Sequence, residues 1–303
     1  MFRAAAISAA VSPRSASLAK AVSADAGATA RLARAGASLG LFEEVPPNRY
    51  ALTPLGKWLV TGEGSLRDHA VILVEPAQLR PLERLATAIR TGQPTARATL
   101  GRDVWEYYRE HPDEGDRFAG AMTGLSASFA GPVTAAFDTA PYKRIVDVGG
   151  GHGNLLRALL GRAPHATGVL FDLPEVAGGA ADALADLPVE IVGGSFLDGV
   201  PADGDLYFLQ HVLHDWDDND AAKILRNCRR AGRPGHTLAV VELCLPERPT
   251  GWLPFLLDLH MLVVSGGRER TAEEFRALLA GAGYQLEKVI GLVGGQNILV
   301  ARA

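Results

Sequence analysis

The sequence predicts an α/β protein in which a doubly wound, mainly parallel sheet follows a smaller, mainly helical N-terminal domain of winged-helix outline. Three observations carry this reading. From Arg144 onward, apolar strand candidates alternate with helical stretches. The run Ile145–Asn154 reads as strand, glycine loop and helix start. The first fifty or so residues instead hold two helices and a short hairpin.

In the N-terminal part, Ser15–Val22 and Ala28–Leu39 are the expected helices. Leu41–Val45, the turn Pro46-Pro47-Asn48 and Tyr50–Leu52 form the expected hairpin. Winged helices often bind DNA, and Arg31, Arg34 and Arg49 would suit that use. No dense basic stripe accompanies them, and alanine and leucine dominate the second helix, so a packing role is expected instead. Leu66–Ile89 and Asp103–Phe137 then read as helices. The second carries Trp105, Tyr107, Tyr108, Phe118, Met122 and Phe129. Most of these belong to an ordinary core, but Trp105 and Met122 are candidates for an apolar wall that a flat substrate would face. The expected division is therefore 1–100, a helical connection over 101–143, and 144–303.

In the last part the strand candidates are Arg144–Val148, Thr167–Phe171, Val189–Val192, Asp205–Leu209, Thr237–Leu243, Tyr284–Ile290 and Asn297–Ala301. Helical stretches at Leu155–Arg162, Glu175–Ala185, Ala221–Ala231 and Ala272–Ala282 separate most of them. Only the Gly291–Gln296 loop lies between the last two strands, which are expected to pair antiparallel.

A chain of 303 residues, 48% hydrophobic, suits one large or two ordinary domains. Its net charge of −4 gives no general attraction to nucleic acid or an anionic membrane. Cys228 and Cys244 fall in a predicted helix and a predicted strand and are expected to stay reduced, as in a cytoplasm. Met1–Ala10 carries too short an apolar run for a secretory leader, and no run approaches the length of a membrane span.

The glycine pattern selects the ligand. It is Asp-x-Gly-x-Gly-x-Gly over Asp147, Gly149, Gly151 and Gly153, unlike the dinucleotide Gly-x-Gly-x-x-Gly. An acid ahead of the glycines repels a pyrophosphate and suits a ligand with a cationic group. Asp172 ends the next apolar run in a position to bind ribose hydroxyls. Together they favour S-adenosylmethionine over NAD, and so disfavour a nicotinamide oxidoreductase.

Chemistry is expected after the fourth strand, at Gln210-His211-Val212-Leu213-His214-Asp215-Trp216-Asp217-Asp218. A histidine at the carboxyl edge of a parallel sheet is placed for proton transfer near neutral pH, and His214 is the stronger candidate over His211. The acids Asp215, Asp217, Asp218 and Asp220 precede a helix and are read as capping groups, so no metal is required. Glu242 ends a core strand at the same edge, and Glu269 lies in Gly266-Gly267-Arg268-Glu269-Arg270-Thr271, before a helix that Thr271 caps with Glu274.

These segments, VDVGGGHG, FDLPEV, HVLHDWDD, VVELCLP and GGRERTAEEFRALLAGAGY, are in the order and near the spacing of a known family. The chain resembles the S-adenosylmethionine-dependent O-methyltransferases of plant caffeate and flavonoid metabolism and of bacterial antibiotic pathways, over nearly its whole length. The resemblance implies a Rossmann-like methyltransferase sheet. It implies that His214 is the general base and that Glu242 and Glu269 flank and orient it. It places Gly149, Asp172, Ser195, Phe196 and Gln210 along the cofactor, beside Asp147 and Gly151 of the glycine loop. Met122 and Met261 would flank an aromatic acceptor, and the winged helix would serve dimerisation. Three departures stand out: the chain starts directly at the winged helix, without the further helices that intertwine with a partner, which is expected to weaken a homodimer. Ser195 stands where an Asp is common, and Gln210 where plant members have Lys.

The expected reaction moves a methyl group to a phenolic hydroxyl. A phenol near pKa ~10 and an imidazole near ~6.5 differ by about 3.5 units, roughly 5 kcal/mol for complete prior proton transfer. Removing the proton as the C–O bond forms lowers that demand. N- or C-methylation, or non-methylating chemistry on the same cofactor, is the near alternative; a DNA-binding regulator is the distant one.

Overall fold

The computed structural model describes residues 12–45, 48–62 and 65–303. Pro46 and Pro47 of the expected turn, and the Met1–Ala10 segment, lie outside these residues. The contacts separate the chain into two compact units, divided between Val71 and Ile72.

The first unit holds α1 (Ser15–Ala21), α2 (Ala26–Ser38), β1 (Phe42–Val45), β2 (Arg49–Leu52) and α3 (Pro54–Lys57). Asp25 caps α2 by accepting the Ala28 N–H, and Thr53 caps α3 through the Gly56 N–H. β1 and β2 pair antiparallel with Phe42 opposite Leu52, and the Phe42 ring meets Tyr50 edge-on. Two helices and a hairpin give the winged-helix outline.

Helices α4 (Arg67–Ile72), α5 (Pro76–Leu82), α6 (Leu85–Thr91), α7 (Ala96–Leu100), α8 (Val104–Glu110) and α9 (Pro112–Ala136) follow. The two long helices expected here are broken at Pro76 and Pro112, and the first is broken again at Glu83-Arg84. Glu75 before Pro76 and His111 before Pro112 leave the helical region, because the proline ring crowds the preceding residue. The Thr95 N–H donates to Val263 O, which ties residues near 95 to the second unit, so the contacts break at 71/72 and not at residue 100.

The sheet comprises β3 (Arg144–Val148), β4 (Thr167–Asp172), β5 (Val189–Gly193), β6 (Leu206–Gln210), β7 (Thr237–Leu245), β8 (Arg270–Thr271), β9 (Gln285–Gly291) and β10 (Gln296–Arg302). The helices between them are α10 (Asn154–Arg162), α11 (Pro174–Ala177), α12 (Ala181–Leu184), α13 (Asp218–Ala231), α14 (Leu253–Val264) and α15 (Ala272–Gly281). The order is β5-β4-β3-β6-β7-β10-β9, with β8 beside β7. β5 through β7 run parallel, and β10 pairs antiparallel with both neighbours. The expected helix over Glu175–Ala185 is interrupted by a tight turn at Gly178–Ala180. α14 was not expected at all: LPFLLDLHMLVV is apolar on nearly every side, so no helical face shows in its pattern.

Side chains alternate across the sheet. Val146, Val148, Leu209 and Val240 face Ile224 and Leu225 of α13 and Phe275 and Leu279 of α15. Ile145, Leu170, Phe208 and Val241 face Leu155, Leu156 and Leu159 of α10 and Val133 of α9. Chain order reverses between β3 and β6, and the crevice outside their carboxyl ends is where such a sheet takes ligands.

Candidate active site

Two loops meet at this crevice. After β3, Gly149 donates to Phe171 O (2.7 Å) with φ of +70°, and a Cβ there would lie 2.7 Å from Val212 Cγ2. Only glycine lets the loop pass this close to the segment after β6. The Gly151 N–H donates to Asp172 Oδ2 (2.8 Å), and the Leu173 N–H to Asp172 Oδ1 (2.7 Å). Two amides thus fix the Asp172 carboxylate, and each oxygen keeps a free lone pair. Asp147 is buried beneath the loop with Oδ2 unpartnered; burial first, and then the Asp172 charge, push its carboxyl up to about 7.

Helix α9 closes over the same loop. Thr123 Oγ1 lies 3.0 Å from His152 Nδ1, and Thr123 O accepts from Asn154 Nδ2 (3.1 Å). Ser126 Oγ donates to Gln210 Oε1 (2.8 Å), leaving Gln210 Nε2 a buried donor without a partner. Phe196 sits beside Gly149 and packs edge-on against Trp216. Asn227, buried on α13, donates to Phe196 O and Leu197 O and so holds that turn, while Ser195 Oγ accepts the Leu197 N–H at 3.3 Å. An unsatisfied acceptor at Asp147 and an unsatisfied donor at Gln210 fit a ligand carrying a cation, hydroxyls and acceptor atoms. S-adenosylmethionine has all three.

The segment after β6 turns sharply. His211 takes a left-handed backbone (φ +53°), and its Nε2 lies 2.9 Å from Gln296 Oε1, which commits that ring to β10. The tight turn Leu213–Asp215 then presents His214. Glu242, fully buried on β7, places Oε1 to accept the N–H groups of Val212 (3.0 Å), Leu213 (2.8 Å) and, more distantly, His214 (3.4 Å). Its Oε2 lies 3.7 Å from His214 Nδ1. Glu269 Oε1 is nearer, at 3.0 Å from Nδ1. A carboxylate only accepts, so Nδ1 carries a proton, and the neutral ring has its lone pair on Nε2. Asp215 Oδ1 lies 3.9 Å from that Nε2. Burial pulls the His214 pKa down, but Glu242, Asp215 and Glu269 together outweigh it and hold the imidazole well above 6.5. Burial in turn pushes the Asp215 carboxyl up to about 6.

Glu269 is itself positioned. Its N–H donates to Asp258 Oδ1 on α14 (2.9 Å), and the next residue, Arg270, is buried. The Arg270 guanidinium donates to Asp218 Oδ1, Leu213 O and Trp216 O, each within 3.0 Å, which clamps the His214 turn against β8. Gly267 packs face to face on this turn: a Cβ there would lie 2.0 Å from His214 O, and the Arg268 N–H donates to that oxygen at 2.8 Å. Of the four acids, Asp217 caps α13 and Asp218 and Asp220 lie in its first turn, where they complement the dipole; Asp218 also pairs with Arg270, and Asp215 flanks His214.

Trp105 reaches this site through Trp216, with ring centroids 6.5 Å apart at 20°. Met122 is partly buried on α9, next to Thr123, and Met261 is partly buried on α14, one turn from Asp258. Asn227, Asp258, Gly267, Arg270 and Ser126 were not singled out in the sequence. Only Gly267 and Arg270 lie in a segment that the resemblance had marked.

Residues 82–285 match the family model for the O-methyltransferase domain, and residues 5–62 that for the O-methyltransferase dimerisation domain. The chain belongs to the O-methyltransferase family. It is an S-adenosylmethionine-dependent methyltransferase of that family. A phenazine O-methyltransferase of Lysobacter antibioticus is 41% identical over 278 residues, covering 90% of this chain and 81% of that one. A phenazine-1-carboxylate N-methyltransferase of Pseudomonas aeruginosa is 32% identical over 290 residues, covering 94% of this chain and 85% of that one. The crystal structure of an O-methyltransferase from neocarzinostatin biosynthesis, in complex with S-adenosylmethionine and 2-hydroxy-5-methyl naphthoic acid, superposes with a TM-score of 0.82. It is 32% identical and covers 97% of this chain and 90% of that one. The family's cofactor therefore matches the unsatisfied groups around the glycine loop. Among the described residues, no helix is long and apolar enough to cross a membrane.

Proposed function

We propose that this enzyme moves the methyl group of S-adenosylmethionine to a hydroxyl of an aromatic small molecule, of phenolic or polyketide type, with His214 as general base. The observation that carries the reading is the Nδ1–H of His214 directed at Glu269 and Glu242, which leaves Nε2 to receive a proton. When bound, the cofactor supplies a methyl already activated on its sulfonium. The chain's own work is to hold the acceptor hydroxyl in line and take its proton as the C–O bond forms. The raised pKa of His214 narrows its mismatch with a phenol. Asp147, Gly149, Gly151, Asp172, Ser195, Phe196 and Gln210 bind the cofactor in this reading, and Trp105, Met122 and Met261 wall the acceptor. No metal is required, no nucleic acid or membrane takes part, the enzyme works in the cytoplasm, and residues 5–62 pair two copies of the chain.

The test is a screen of phenolic acceptors with labelled cofactor, scored for label in an ether or an amine. The N-methyltransferase among the relatives makes transfer to nitrogen the second reading, and an exclusively N-methylated product would install it.

Two outcomes are expected. Asp172→Ala removes the acceptor of two amides and of the ribose hydroxyls. It should weaken S-adenosylhomocysteine binding by roughly 10- to 100-fold, the worth of hydrogen bonds to a charged group. Unchanged affinity in a calorimetric titration would remove the ribose assignment. A base must be neutral to act, and the carboxylates favour the imidazolium. Turnover should therefore fall on the acid side with a midpoint above 6.5. In Glu269→Gln one carboxylate is gone and the midpoint should move down toward 6.5. A midpoint that does not move would mean the limb belongs to another group.

A further inference from the structure

The two glutamates offer more than orientation. Glu242 Oε2 and Glu269 Oε2 are buried acceptors without a hydrogen-bond partner among the described residues. The Glu242 side chain is 0% exposed and that of Glu269 is 2%. One ring nitrogen of His214 and one oxygen of each carboxylate lie within 4.8 Å of one another. Ligands about 2.0–2.1 Å from a tetrahedral zinc sit roughly 3.4 Å apart. The two separations from Nδ1, 3.0 Å and 3.7 Å, straddle that value. Two carboxylates against one imidazolium leave the cluster one charge negative, whereas a divalent cation with a neutral imidazole brings it to zero. Backbone amides fix Glu242 in place without supplying a full positive charge. One imidazole with two carboxylates suits zinc-class ions better than magnesium or calcium, which want six or more oxygens.

We propose that His214, Glu242 and Glu269 bind a single zinc-class divalent ion and that its binding stops methyl transfer. The ion is an inhibitor and not a cofactor. In the imidazolium it displaces the Nδ1 proton to solvent; in the neutral ring Nδ1 gives up its proton while Nε2 takes one from solvent, so in either case the one ring proton sits on Nε2. That nitrogen then has no lone pair for the acceptor's proton. The inhibitory half rests on His214 being the base; the binding half does not.

The full chain is titrated with Co(II), read by its visible absorption, and then with zinc. The expected result is one cobalt per chain, displaced by zinc. Methyl transfer should be lost in step with occupancy and restored by a chelator, while S-adenosylhomocysteine still binds. Glu269→Gln should weaken cobalt binding by about tenfold or more, and His165→Ala, an exposed histidine elsewhere, should not. Circular dichroism checks that the variant folds. X-ray absorption of the zinc-loaded wild type tests the ligand set without any variant, and should find one imidazole with oxygen ligands. Sulfur or several imidazoles in the shell, no bound cobalt, or binding indifferent to Glu269→Gln in a folded chain would each overturn the site and leave His214 as base untouched. Metal held at the cluster with methyl transfer intact would overturn the inhibition, and the base assignment with it.

Discussion

His214→Ala is expected to lose methyl transfer by about 10²-fold or more while keeping its affinity for S-adenosylhomocysteine. The two halves of this outcome come from different parts of the site. The imidazole is held from Nδ1 by Glu269 at 3.0 Å, and no contact of its ring with the glycine loop or with Asp172 is needed to shape the cofactor groove. The backbone of the turn is fixed independently by Glu242 Oε1 and by Arg270, so removing the ring leaves Val212 and Leu213 where they were. Rates and product are measured with labelled cofactor, and binding by calorimetry. Near-normal turnover would reject His214 as the base. Loss of both turnover and binding would show that the ring is part of the cofactor groove.

Gly267→Ala is the second large effect, produced by one methyl group on a residue that contacts no reacting atom. A Cβ at Gly267 would meet His214 O at 2.0 Å and the Asp215 carbonyl carbon at 2.5 Å. Both are backbone atoms, so no side chain can swing aside. The turn must shift by about an ångström, and it carries the imidazole with it. Misplacement of that size costs roughly 10²-fold in a positioned reaction. The fall should appear in kcat far more than in cofactor affinity, because Gly267 packs on the backbone of His214 and Asp215 and not on the glycine loop after β3. A variant with wild-type kcat would mean that the turn relaxes without moving His214.

Much of this site was legible because its residues sit in segments whose chemistry is local. The glycine cluster after β3 announces a turn, and a histidine, an aspartate and a glutamate at strand ends announce a carboxyl edge. His214 and Glu242 stood out from that placement, while Glu269 sits in a loop before a helix and its joining them, 27 residues beyond Glu242, came from the family resemblance. What stayed hidden depends on partners far away. Arg270 reads as one more charge in a polar loop until Asp218 and Leu213 O arrive around it. Asn227 lies on a strongly amphipathic helix, where its burial against the Phe196 carbonyl has no local sign. α14 escaped notice because a segment apolar on all sides has no period to detect, yet it supplies Asp258 behind Glu269. The breaks at Pro76 and Pro112 have a local sign, because proline disfavours helical backbone at the residue before it.

In the proposed reading the groups that take the proton and those that wall the acceptor come largely from different elements, with α14 shared between them through Asp258 and Met261. His214, Glu242 and Glu269 hang from β6, β7 and the lead-in to β8, pinned by the sheet and by Arg270. Trp105, Met122 and Met261 ride on α8, α9 and α14. On that reading one acceptor scaffold could be traded for another by exchanging helix side chains. On α8 and α9 such an exchange would leave the sheet-borne groups in place, whereas on α14 it must spare Asp258, which receives the Glu269 N–H.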